Sequence, residues 1–107
     1  MSTPTEDHRA IFNSLARIYT GRLDVKLVTA FGDGPALSSG GTLFAALPGE
    51  ELIVRLPPER CAMLVDAGEG RLYVDDGQTL EDWLVVPGDD HAEWEGFVSE
   101  ALGCARG

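Results

Sequence analysis

A chain of 107 residues fits one domain, and its 44% apolar and 24% charged side chains suit a protein that buries a core, which excludes wholesale disorder. Eighteen acidic against eight basic side chains give a formal net charge of -10, which disfavours nucleic acid, because a phosphate backbone is bound through Lys and Arg that release its counterions. No apolar run exceeds five residues, the length of 43–47, far below the roughly 20 needed to span a bilayer, so no membrane partner is expected.

In chain order, Thr3-Pro4-Thr5-Glu6 offers a helix cap, a proline at the first helical position and a glutamate three residues after the cap. A helix is predicted over 4–20, with Ile11, Phe12, Leu15, Ile18 and Tyr19 on its inner face and Gly21 as its left-handed stop. From Leu23 the pattern alternates, with Leu23, Val25, Leu27, Thr29 and Phe31 on one face of a half-buried strand and Asp24 and Lys26 on the other. Gly32-Asp33-Gly34-Pro35 is expected to break it, residues 36–38 to pair back, and Ser39-Gly40-Gly41 to turn the chain again.

Residues 43–47 and 52–56 read as a hairpin about Pro48-Gly49, a pair suited to the centre of a type II turn. Pro57-Pro58 ends that ladder and starts a short helix, with Cys61, Leu64 and Val65 inward and Gly68 as its stop. Residues 71–74 and 83–86 are further strands, joined by a polar loop containing Asp76-Gly77, and Pro87-Gly88 closes the second. Asp90 and Glu93 form a capping box for a last helix, in which Trp94, Phe97, Val98, Ala101, Leu102 and Ala105 keep helical spacing. The order predicts an α+β fold: a single two-layer domain, with an antiparallel meander sheet of about five or six strands covered by N-terminal, middle and C-terminal helices.

Four landmarks then group. Phe31-Gly32 follows the first strand, Gly41 precedes Leu43-Phe44-Ala45, Leu52-Ile53-Val54-Arg55-Leu56 runs into Pro57 with Glu59-Arg60, and Trp83-Leu84-Val85-Val86 forms the last strand. This order resembles the small domain shared by the TfoX N-terminal domain and the MmcQ/YjbR-like proteins, over residues 5–105. Ala30 and Thr42 stand where that family often has a methionine and a lysine. The resemblance implies a stand-alone domain over 1–107 with a regulatory role, and for the MmcQ/YjbR-like group a DNA-binding label. DNA binding would require a basic stripe or a recognition helix, and neither is visible in this acidic sequence.

Catalytic chemistry finds little footing. Cys61 reads as a packed core thiol and Cys104 as an incidental one near a chain end; with no basic-then-apolar leader in MSTPTEDHRA, a cytoplasmic location with free thiols is expected. His8 and His91 have no second His or Cys at metal-ligand spacing, and Asp89 and Asp90 read as helix caps. Asp75-Asp76 and Glu81-Asp82 read as a solvated turn. Neither Gly32-Asp33-Gly34 nor Gly40-Gly41 leads from a strand into a helix as a phosphate loop must. No catalytic residue, metal or cofactor is expected.

Arg55 and Arg60 stand out because cations are scarce and these two flank the proline junction. They mark a candidate anion or partner site, the alternative being surface pairing with Glu50, Glu51 or Glu59. Trp83 and Trp94 are core candidates, though an exposed Trp at a sheet edge would suit an interface. The expectation is a non-catalytic cytoplasmic interaction or regulatory module that presents one side of its sheet, or the Arg55/Arg60/Trp83 corner, to a protein partner. The alternative is a binder of small anionic ligands, or an enzyme, with a pocket near Arg55 and Arg60. Either a monomer or a homodimer paired through an edge such as residues 71–74 is compatible with the sequence.

Overall fold

The computed structural model describes residues 4–21, 25–31, 34–49, 51–86 and 91–106, without the side chains of residues 4–9, 91 and 106. The expected cap of Thr3 and Glu6, Leu23 and Asp24, Gly32-Asp33, Glu50, Pro87-Gly88, Asp89-Asp90 and the side chains of His8 and His91 lie outside the described residues.

The chain runs α1 (Pro4–Thr20), β1 (Val25–Ala30), β2 (Gly34–Ser39), β3 (Thr42–Ala46), β4 (Leu52–Arg55), α2 (Pro58–Asp66), β5 (Arg71–Asp75), β6 (Gln78–Val86) and α3 (His91–Arg106). All six strands join one antiparallel sheet in the order β1-β2-β3-β4-β6-β5, so the predicted α+β architecture is borne out. The meander is regular through β4. There α2 carries the chain across one face to the far side, so β5 becomes an edge and β6 returns between it and β4.

The turns follow local chemistry. Gly40-Gly41 joins β2 to β3 and Asp76-Gly77 joins β5 to β6, all four residues having φ between 52° and 86°, the left-handed pair that a two-residue hairpin favours. α2 begins at Pro58, with the amides of Arg60 and Cys61 donating to the Pro57 carbonyl at 2.9 and 3.0 Å. It closes with the Gly68 amide donating to Val65 O at 3.0 Å and the Glu69 amide to Leu64 O at 2.9 Å, which satisfies two otherwise orphaned carbonyls.

One face of the sheet carries the helices. Phe12 and Leu15 of α1, Cys61 and Leu64 of α2, and Trp94, Val98 and Ala101 of α3 are buried against Leu37, Phe44, Leu52, Val54, Leu84 and Val86. Each large side chain so buried contributes about 1.5–3 kcal/mol. The expected inner faces of the three helices are largely borne out, with two exceptions, Ile18 of α1 and Val65 of α2. Ile18 is 39% exposed and Val65 38%, because each lies to one side of the buried line of its helix, beyond the reach of the sheet.

The opposite face has a second core made without helices. Ala36, Ala46, Ile53, Trp83 and Val85 are buried there, with Val28, Phe31, Leu43, Tyr73 and Leu80 packed around them. The cover comes from the sheet itself. Phe31 follows β1 at one edge, yet its ring stands edge-to-face on Tyr73 of β5, the other edge, with centroids 5.4 Å apart, and on Trp83 at 5.1 Å. Twist and two irregularities curl the sheet this far: β2 and β3 shift register at Leu37/Ser38, and β5 and β6 at Leu72/Tyr73.

Several local expectations change. Phe31 was expected to share a face with Val25, but its φ of 54° breaks the alternation and swings the ring to the helix-free side. Leu27 and Thr29 are exposed, because α1 covers only the Val25 end of this edge strand. Gly34 and Pro35 belong to β2 rather than to a break. Gly49 lacks the positive φ of a type II turn. Glu81 and Asp82 lie within β6, not in a loop, because the Asp76-Gly77 hairpin is already complete at Gln78. Among the described residues no helix is long and apolar enough to cross a membrane.

Cys61 is fully buried, its thiol donating to the Leu56 carbonyl at 3.6 Å, and burial pushes the thiol pKa up. In the unfolded chain the thiol ionises near roughly pH 8.5. The raised folded-state value means that its contribution is fully present below that pH and lost as pH rises through the folded pKa. The stability advantage of the wild type over Cys61→Ala should therefore shrink as pH rises above about 8.5, by at most about 1.4 kcal/mol per pH unit, measured by urea unfolding. A constant difference from neutral pH to pH 10 would refute the burial effect.

Candidate functional site

Arg55 is the last residue of β4 and lies directly opposite Trp83 on β6. Directly opposed residues share a face, so Arg55 sits on the helix-free side, in line with Ile53. Trp83 is only 7% exposed and is held by the Phe31 ring, so the core reading of this residue is correct. Asp82 grips the end of β4 twice: its carboxylate Oδ2 accepts from Arg55 Nε at 3.0 Å, and its carbonyl accepts from the Leu56 amide at 3.1 Å.

Arg60 stands on α2, on the other layer. Its Nε donates to Glu100 Oε2 at 2.7 Å and an outer nitrogen donates to Oε1 at 3.3 Å, a forked pair tying α2 to α3. That carboxylate also raises the Arg60 pKa, so the side chain stays cationic. The structure therefore brings Arg55 and Trp83 together and leaves Arg60 apart.

The partners of the arginines also differ from expectation. Glu51 is taken by Arg71, at 2.6 and 3.3 Å, while Arg55 and Arg60 choose acids 27 and 40 residues away. Proximity in sequence was a poor guide because Glu59 follows the β4 turn-off on α2, whereas sheet register and helix packing deliver Asp82 and Glu100. All three pairs are at least one-third exposed, which limits each to about 0–1 kcal/mol.

Beside Arg55 a cleft of about 280 Å³ opens where the start of β3, the end of β4, the start of α2 and the end of α3 meet. Leu43, Leu56 and Pro57 give it an apolar wall, and the Arg55–Asp82 pair a charged one; Cys104 and Ala105 close the α3 side. A second cavity of about 490 Å³ lies near the β5 edge, over Ile53 and Val85, with Tyr73, Arg71 and Glu51 around it. Leu43 and Asp82 line the Arg55 cleft, and the sequence did not single them out as site residues. Asp82 offered a weak signal, as an acid in the residue before Trp83.

The Arg55 cleft can hold an apolar side chain and answer a polar group beside it. Among the described residues no group of three His, Cys, Asp or Glu side chains is placed to hold a metal ion. No protein-family model matches the chain, and no curated protein sequence matches it.

Proposed function

We propose that this chain is a non-catalytic, cytoplasmic interaction module of the TfoX N-terminal and MmcQ/YjbR-like kind, which takes a segment of a protein partner into the Arg55 cleft. The observation that carries this reading is the cleft's construction: a half-exposed ion pair, 47% at Arg55 and 36% at Asp82, set against an apolar wall at the open end of a rigid sheet. A partner side chain on Leu43, Leu56 and Pro57 would lose water, while its neighbouring polar groups exchange with the ion pair. Arginine is over-represented among interface anchors.

Affinity capture from source lysate, compared across the wild type, Arg55→Glu and Arg60→Glu, tests the reading. The specific partner should be lost with Arg55→Glu and retained with Arg60→Glu, since Arg60 does not line the cleft. Identical partners for all three proteins would remove the cleft from consideration. A small anion, by contrast, finds only the Arg55 N–H groups that Asp82 leaves, beside a carboxylate that repels it, so a thermal-shift screen of anionic metabolites is expected to leave Tm unchanged. A selective rise in Tm would replace the protein-partner reading by ligand binding.

A further inference from the structure

We propose that β5 pairs with β5 of a second copy of this chain across a two-fold axis through Tyr73. β5 is the outer strand of the sheet, with one side of its backbone unused by β6. The two-residue Asp76-Gly77 turn makes Asp75 and Gln78 the hydrogen-bonded pair that flanks a hairpin, so Asp75 and Tyr73 direct their backbone groups toward β6. Leu72 and Val74 direct theirs outward. A second antiparallel β5 can use those groups only in a register that sets even-numbered residues against even-numbered ones.

Charge then selects one register. With Tyr73 on the axis, Leu72 opposes Val74 of the second copy, and Arg71 opposes its Asp75, once at each end. Shifting the axis to Leu72 or Val74 leaves neither arginine facing an acid on β5. The strand Arg-Leu-Tyr-Val-Asp is thus complementary to itself in the antiparallel sense, which an isologous interface requires. Glu51 accepts from two nitrogens of Arg71 and leaves further guanidinium N–H groups for the partner's Asp75.

The apolar surface agrees with this placement. Val74 is 55% exposed and would meet Leu72 of the second copy. α2 packs over β5 and β6, and Arg60 on one flank turns toward α3, so the opposite flank, with Val65 at 38% exposure, lies along the seam. The other edge, β1, carries Lys26 as its only charged residue, so a two-fold pairing of β1 sets no β1 acid opposite it. β5 also lacks the lysine or proline that commonly protects an edge, and contributes nothing to the Arg55 cleft, so the two proposals stand or fall separately.

Sedimentation equilibrium across a concentration series decides the matter. The interface is small, so the wild type should show a reversible monomer–dimer equilibrium in the micromolar range. Arg71→Asp and Asp75→Arg should each weaken it at least about tenfold, since each sets two like-charge pairs face to face. An equimolar mixture of these two variants should form a one-to-one heterodimer, because every arginine then again faces an acid. Val74→Lys, at a position already exposed, should leave the monomer folded and weaken the dimer. A wild type that stays monomeric throughout, variants that dimerise as it does, or a mixture that fails to associate would each overturn the proposal.

Discussion

Trp83→Ala is expected to destabilise the protein by about 3–5 kcal/mol, the cost of emptying a large buried aromatic site, even though no helix covers it. The ring is 7% exposed and lies among Ala36, Ala46, Ile53 and Val85 on the concave side of the sheet. Phe31, which follows the far edge strand, stands edge-to-face on it. Removing Trp83 therefore takes away both a buried surface and the anchor that holds the sheet curled. Phe31→Ala should cost less, because its ring is only partly buried; the left-handed backbone stays strained, since alanine keeps the Cβ that causes the clash. The two should be coupled, with a double-mutant cycle returning about 0.5–1.5 kcal/mol for the edge-to-face pair. Urea unfolding of the four proteins measures this. A loss below about 1 kcal/mol for Trp83→Ala would mean that the helix-free face contributes no core.

That second core marks the boundary of what the sequence conveys. The helices were legible because their signals are local: Phe12, Leu15 and Tyr19 at helical spacing, Pro57-Pro58 before α2, Gly68 after it. The Gly40-Gly41 and Asp76-Gly77 turns were legible for the same reason. Alternation along β1, however, says only which residues share a face. It cannot say that α1 stops short of Leu27, or that one positive φ sends Phe31 to the other side. The site shows the same division. Arg55 and Trp83 were both conspicuous by type, but their meeting depends on the register between β4 and β6, strands separated by a helix and a further strand. Asp82 and Glu100 were chosen as partners by tertiary packing, which no short window of sequence contains.

Gly34→Ala tests a close approach of backbones that no hydrophobic pattern reveals. Gly34 opens β2 where the chain leaves β3, and the Leu47 amide donates to the Pro35 carbonyl at 2.9 Å beside it. A methyl group on Gly34 would come within 2.7 Å of Pro48 Cα and nearer still to the Leu47 carbonyl oxygen. Both obstacles are backbone, so no side-chain rotation relieves them; β2 must separate from residues 47–48, at the junction that also sets up β4. The expected loss is about 3 kcal/mol, the upper end for forcing an extra carbon into a packed site, or a fall in Tm of roughly 12–24 °C at about 4–8 °C per kcal/mol. Gly49→Ala supplies the contrast only fifteen residues along the chain. Its added carbon meets nothing within 4 Å and its φ is not positive, so it should be neutral or stabilise by about 0.4–1 kcal/mol through a less flexible unfolded chain. If Gly34→Ala melts like the wild type, the close approach of β2 to the backbone of residues 47–48 is refuted.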